Sequence, residues 1–366
     1  MIVVLTRRAH AYTLWDFLDS WAPALRRRVR VMAYEELAHR KRLPRATYAF
    51  ADLERLSPAL RDLAADVRDQ IAAAAPELRL LNHPRRSLRR FELQQLLHRQ
   101  GRAPFAVHRP AEPSAAWRFP VFLRRESEHS GSLTPLLHSA ERVRSAASLE
   151  VERGFDPRDL LVVEFCDTAD SAGLYRRYAV HRFGDRLVPD SLAFSRDWMV
   201  KYSAELDEEH RAEELRFLEQ NPHEQELRPI FDLAGIEYGR IDYTVLDGRI
   251  VVWEINTNAF LMYPPDCYDP RKLPDEERFA RRLEAAFESI DDRSADGNGA
   301  IPIRVAPATI RRLWPSPIAR LCRLGRVADD QADAPLAIAP RVLRRPAARL
   351  WRSVRRARAR FRSARG

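Results

Sequence analysis

Lysine and cysteine are scarce in this chain, and long apolar runs are missing. Lysine occurs only at positions 41, 201 and 272, so nearly all of the 62 basic residues are arginine. Such a bias fits a GC-rich genome and bears on how an arginine is read where lysine is customary. Cys166, Cys267 and Cys322 stand alone without a CxxC pair, which argues against a disulfide framework or a structural zinc site. No stretch approaches the length of a membrane span, and Met-Ile-Val-Val-Leu-Thr is too short an apolar start for a secretory signal. A reducing, cytoplasmic setting is expected. There is no GxGxxG to suggest a dinucleotide, and no serine nucleophile elbow. The cysteines have no histidine near them in sequence, so covalent catalysis has no support. His83, His129 and His181 are not at metal-ligand spacing and read as structural or surface residues.

What is present suits a globular protein of two or three domains: 366 residues, 45% hydrophobic, with seven tryptophans. The net charge of +10 is unevenly placed. Residues 301–366 hold 17 arginines and three aspartates, a net +14, which leaves about −4 for residues 1–300. The body is mildly acidic and the tail strongly basic.

Along the first 84 residues short apolar strands alternate with helical segments. Strands are expected at Ile2–Leu5, Val29–Met32, Thr47–Asp52 and Leu78–Leu81. A helix is expected from about Ser57 to Ala75, with Ser57 as cap and Pro58 in the first turn. This βα alternation predicts a small parallel-sheet domain. Further on, a helix at Ser87–Arg99 precedes strands at Phe105–His108, Phe119–Glu126 and Leu160–Asp167. Tyr175–Arg182 and Arg186–Pro189 make a hairpin. Helices near 203–220 and 222–234 lead into a second hairpin.

That second hairpin, Tyr238 to Asn258, is the most informative stretch. Two β-rich runs flank Asp247-Gly248; the first carries Asp242 and the second ends in Glu254 and Asn256. Carboxylates and amides inside apolar strands are costly unless compensated, and a hard divalent cation with oxygen ligands is one compensator. Glu254 and Asn256 share a face because strand side chains alternate. A two-residue turn would set Asp242 on the opposite face. A three-residue loop, Leu246-Asp247-Gly248, would pair it with Val252 and restore all three to one face, so the bulged form is expected. The plain alternative is an amphipathic hairpin with a polar outer face, but Ile241, Val245, Ile250, Val252 and Trp253 leave little room for one.

The pattern Arg-Ile-Asp, about a dozen residues, then Glu-Ile-Asn-Thr-Asn resembles the C-terminal metal-binding motif of the ATP-grasp superfamily. The resemblance implies a mixed α+β and α/β protein: a small pre-ATP-grasp domain (1–84), two α+β subdomains gripping ATP (85–290), and a basic C-terminal extension (291–366). It makes Asp242, Glu254 and Asn256 ligands of Mg²⁺, or of Mn²⁺ in its place, held against the ATP phosphates. The motif lacks the proline that often follows in the family. Pro120-Val-Phe-Leu-Arg124 matches a family strand that ends in a phosphate-binding lysine, with arginine substituted; Arg forks onto phosphate where Lys is a point charge. Arg90 stands nearest a second family lysine. The phosphate-covering loop, Glu126 to Ser132, has a single glycine, Gly131, helped by Ser130 and its neighbours. Glu164, Phe165, Cys166 and Asp167 resemble the adenine hinge, with Glu164 toward the amino group and Asp167 toward the ribose. Arg177 is similar to an arginine that contacts phosphate or acylphosphate in glutamate-adding ligases of the superfamily, and Lys201 and Arg240 are further candidates of that kind.

The implied reaction is ATP-dependent joining of a small-molecule or peptide carboxylate to an amine or thiol through an acylphosphate. A nucleotide-binding protein that keeps the fold without ligation is the rival reading. Residues 341–366 contain 11 arginines and no acid. Leu343, Ala347, Leu350, Val354, Ala357 and Phe361 recur at helical spacing. A basic amphipathic helix there would suit an anionic membrane surface, nucleic acid or an acidic partner; a disordered extension is the alternative.

Overall fold

A computed structural model describes residues 1–129, 131–201, 203, 207–292 and 299–313. Strand Ile2–Thr6 is buried at every position, as a parallel strand covered on both faces should be. It pairs in parallel with Val29–Ala33 and Thr47–Phe50, and Leu80–Leu81 completes a four-stranded sheet. Helix Pro58–Ala74 begins where its signals place it, with the Ser57 hydroxyl accepting from the Leu60 N–H at 3.4 Å. Leu60, Leu63, Ala64, Val67 and Ile71 form its buried stripe, packed with Val3, Leu5 and Tyr48.

The same core takes in Ile301 and Ile303. Strand Ala300–Pro302 pairs antiparallel with Arg42–Pro44, and helix Pro307–Leu313 follows. The extension expected from residue 291 therefore gives its first described part to the N-terminal domain. Ile301 in the strand and Ile303 just after it alternate with Pro302 and Arg304, so this short edge segment buries two isoleucines despite its proline. Segment 341–366 and its expected helix lie outside the described residues.

The next unit is a three-stranded antiparallel sheet in the order Val107–His108, Leu160–Glu164, Val121–Arg125. Val121, Leu123, Leu160 and Val162 pack under helix Ala140–Glu152 through Val143 and Ala147. The other face presents Phe122, Leu161 and Val163 to Val251 and Trp253 of the larger unit. That unit is a four-stranded antiparallel sheet in the order Arg186–Ser195, Tyr175–Phe183, Tyr238–Leu246, Arg249–Asn256. Helices Arg90–Arg99, Glu208–Gln220 and Glu224–Ala234 cover one face through Leu93, Phe217 and Phe231. Helix Leu273–Ile290 joins this unit to the first, its Leu283 and Phe287 packing with Ile2, Val4 and Phe17. Two α+β units thus face each other beside a parallel-sheet domain, the arrangement implied by the motif.

Candidate functional site

The hairpin closes on Asp247-Gly248 as a two-residue turn, with φ of 50° and 72° and Leu246 opposite Arg249. This corrects the expected three-residue loop. Asp-Gly supplies the two positive φ values of a tight hairpin turn, so no extra residue is needed there. The bulge lies inside the ladder instead, at Trp253, between the pairs Tyr243–Val252 and Asp242–Glu254. It reaches the expected alignment by another route: Asp242 stands opposite Glu254 and Arg240 opposite Asn256, all on one face. The Trp253 ring stacks on Phe105 at 5.5 Å, in the contact between the two α+β units.

Both carboxylates are buried, at 6% and 8% exposure, and both are held by arginines. Asp242 accepts from Arg177 at 2.7 Å and from Arg240 at 2.8 Å. Glu254 accepts from Arg124 at 2.7 Å, from Arg90, and lies 2.9 Å from His129 Nδ1. Burial alone would raise the Glu254 carboxyl, but the charges of Arg90, His129 and Arg124 hold it well below the usual carboxylate range. Arg124 is pushed down to about 10 by burial and by Arg90 beside it, against the pull of Glu254. The Nε–H groups of Arg90, Arg124 and Arg177 are buried without hydrogen-bond partners. Orphaned buried donors are costly. The cluster has more donors than its two carboxylates use.

Of the other residues singled out by the sequence, Asn256 shares the face, its Oδ1 accepting from the Asn258 N–H at 2.8 Å. Gly131, at φ 97°, lies so close to Lys201 that an added Cβ would stand 2.6 Å from its Cε. The Lys201 carbonyl accepts from Arg177 at 3.1 Å. Ser130 lies outside the described residues. Phe165 meets Trp198 edge-on at 5.7 Å, and Asp167 accepts from the Tyr175 hydroxyl at 2.9 Å. Burial raises the Cys166 thiol. Glu164 is engaged at the sheet edge. Its carboxylate accepts from the N–H groups of Ala106 at 3.0 Å and Arg118 at 2.9 Å, and faces His108 at 3.3 Å. It satisfies backbone donors at the sheet edge and fastens three segments together.

His129 is a correction of another kind. Its ring lies between two carboxylates, Nε2 at 2.9 Å from Glu54 and Nδ1 at 2.9 Å from Glu254, so it belongs to the site and ties it to the N-terminal domain. Glu54 also accepts from Thr257, whose hydroxyl accepts from the Leu53 N–H at 2.8 Å. Asn258 reaches Thr6 at 3.1 Å and Thr13 at 3.0 Å. The end of the motif thus docks at the carboxyl ends of the parallel strands, where open α/β sheets form ligand crevices. Arg90 Nη1 donates to the carbonyls of Arg125, Glu126 and Glu128 at 2.8, 2.9 and 2.9 Å and shapes the turn after strand Val121–Arg125. Glu54 carried one signal in the sequence: an acid in the loop directly after a buried strand.

Among the described residues, no group of three or more His, Cys, Asp and Glu side chains is arranged to hold a metal ion. The oxygens that suit a hard cation in kind are those of Asp242, Glu254 and Asn256.

Two antiparallel sheets facing each other with helices on their backs, a parallel-sheet domain alongside, and an acidic hairpin at the junction make up the architecture around this site. Solved structures to which the chain is similar include D-alanine–D-alanine ligase from Bacillus anthracis complexed with ATP, at 13% identity over 79% of this chain and 96% of that one, TM-score 0.45. A second structure of the same B. anthracis ligase gives 12% identity over 79% and 96%, TM-score 0.46. L-amino acid ligase from Bacillus licheniformis gives 12% over 70% and 67%, TM-score 0.37. No family model matches the sequence, and no curated protein matches it.

Proposed function

We propose that this protein binds Mg-ATP at the Asp242–Glu254 cluster and uses it to join a carboxylate to an amine. The observation that carries this reading is the convergence of Arg90, Arg124, Arg177 and Arg240, from four separate elements, on two paired carboxylates, with three buried Nε–H groups left over. Four guanidinium groups on two acids make a site that a bare cation would leave more positive. A cation accompanied by polyphosphate suits it, because the phosphates give the arginines new acceptors while the carboxylates turn to the metal. Mg²⁺, held by Asp242, Glu254 and Asn256, would offset charge that develops on the transferring phosphoryl group.

The chain's own residues supply alignment and charge, which is most of what phosphoryl transfer asks of a protein. Arg124 and Arg177 orient phosphate oxygens from opposite units. A substrate carboxylate oxygen forms a bond to the γ-phosphorus as the bond to the ADP oxygen breaks. The amine then attacks the acyl carbon, phosphate leaves, and the amine proton passes to solvent or to a nearby base. Gly131 and Lys201, already in contact, cover the phosphate end.

A second reading, nucleotide binding without ligation, draws on the lock of Arg90, Arg124 and His129 on Glu254. Measuring ADP release across a panel of carboxylates and amines, alongside Mg-ATP binding, separates the two. The ligase reading expects acceptor-dependent ADP release that Asp242→Asn abolishes. Equal ADP release by wild type and variant would contradict it.

A further inference from the structure

Arg240 links Asp242 to a second group of acids, donating to Asp190 at 3.1 Å. Asp190 sits at the irregularity between Pro189 and Ser191. Glu214 from helix Glu208–Gln220 and Glu276 from helix Leu273–Ile290 lie within electrostatic reach of it and of each other. The balancing cations are few: Arg240, Lys272, and Arg211 and Arg278, which both pair with Asp275, Arg211 at 3.2 Å. Burial and then the charge of Asp190 push the Glu276 carboxyl up to about 7, and burial raises that of Glu214.

Two independent features mark this cluster as more than an acidic surface. His181, 2% exposed, aims an Nε2 without a hydrogen-bond partner toward Asp190, 3.9 Å from its Oδ1. Burial holds the ring's pKa at about 4, so it is neutral at physiological pH and does not neutralise the acids. A buried nitrogen of this kind calls for a polar partner. The second feature is an aromatic wall. Tyr268, whose hydroxyl feels Glu276 and Asp190, meets Trp21 edge-on at 6.0 Å and Tyr263 at 6.4 Å, and Tyr263 lies 4.5 Å from Phe260. Tyr263 is one of the few exposed large apolar side chains among the described residues. Aromatic rings beside under-compensated carboxylates attract organic cations.

We propose that the cluster formed by Asp190, Glu214, Glu276, His181 and Tyr268 binds an ammonium or guanidinium group carried by the acceptor substrate. The word acceptor rests on the ligase reading; the cation rests on this cluster alone. Arg240 stands between the two sites, so an acceptor anchored at the acidic cluster would extend an uncharged amine toward the phosphate end.

The test is calorimetric titration of the full chain with 1,4-diaminobutane, with and without Mg²⁺ and a non-hydrolysable ATP analogue. Saturable diamine binding is expected, with none for 1,4-butanediol. Glu276→Gln should weaken diamine binding at least tenfold and Glu214→Gln several-fold. Glu277→Gln, an exposed neighbour, should leave it unchanged, and analogue affinity should stay within twofold in all three. No diamine binding, or equal binding by wild type and both acidic-cluster variants, would overturn the proposal. Loss of analogue binding in the wild type, with diamine binding intact, would count against the Mg-ATP reading and leave the acidic cluster standing.

Discussion

The two polar sites that meet at Arg240 are opposite in charge logic. At the first, two carboxylates face four arginines, and buried guanidinium N–H groups remain unpaired. At the second, three acids face few cations, and a carboxyl titrates near neutrality. Each site is unbalanced, in opposite senses. Buried imbalance of this kind costs stability and is what a ligand of opposite charge relieves. The comparison teaches that the motif carboxylates do not stand alone. They are half of a cluster whose net sign favours anions, beside a second cluster whose net sign favours cations.

Arg90→Ala should produce the largest effect. The side chain serves three carbonyls and Glu254, so its loss leaves a buried carboxylate and a turn short of donors. A loss of about 3–5 kcal/mol in urea unfolding is expected; a loss of a few tenths would mean that the cluster tolerates imbalance. Arg124→Ala and Arg177→Ala come next. Each removes charged hydrogen bonds of about 1.5–3 kcal/mol, so Mg-ATP affinity should fall about 10- to 100-fold by calorimetry. Arg124→Lys should restore part of it.

The acidic cluster gives a pH-dependent prediction of smaller size. Glu276 titrates near 7 in the folded chain against about 4.5 unfolded. Between those values the folded state holds the extra proton, so this group costs nothing below about 4.5, and stability falls as pH rises to about 7. Glu276→Gln should remove that slope and raise stability at pH 8 by about 1–2 kcal/mol after solvent screening, read by thermal or urea unfolding at pH 5 and 8. The smallest effect is expected for Gly131→Ala. Its positive φ and the neighbouring Lys201 should cost about 1 kcal/mol, mostly in Mg-ATP affinity, since the flexible lysine can shift.

Much of the fold was legible because it is written locally. Ile2–Leu5, the Ser57-Pro58 start and the run Arg249 to Asn256 carry their own periodicity and caps. The shared face of Asp242, Glu254 and Asn256 was legible too, although its cause was misplaced. The turn takes the residues Asp-Gly favours, and the bulge goes to Trp253, whose ring is stacked on Phe105 of the other unit. The arginine clamps were only half legible. Arg124 and Arg177 stood out by motif, but Glu254 is 164 residues from Arg90 and 125 from His129, and no local pattern encodes such pairs. The fastening role of Glu164 was not legible, because an acid at the end of a buried strand looks the same whether it faces a ligand or fastens a backbone. The acidic cluster draws on two strands, two helices and the 260–268 segment, so only the tertiary structure assembles it.

The central claim is that the arginine-clamped pair takes an anion together with a metal. It is tested most directly by calorimetric titration of ATP into the full chain with Mg²⁺ and again with EDTA, for wild type and Glu254→Gln. The account predicts saturable binding with Mg²⁺, weakened at least tenfold by EDTA and by the substitution. Binding that is absent in the wild type, or indifferent to both changes, would contradict it.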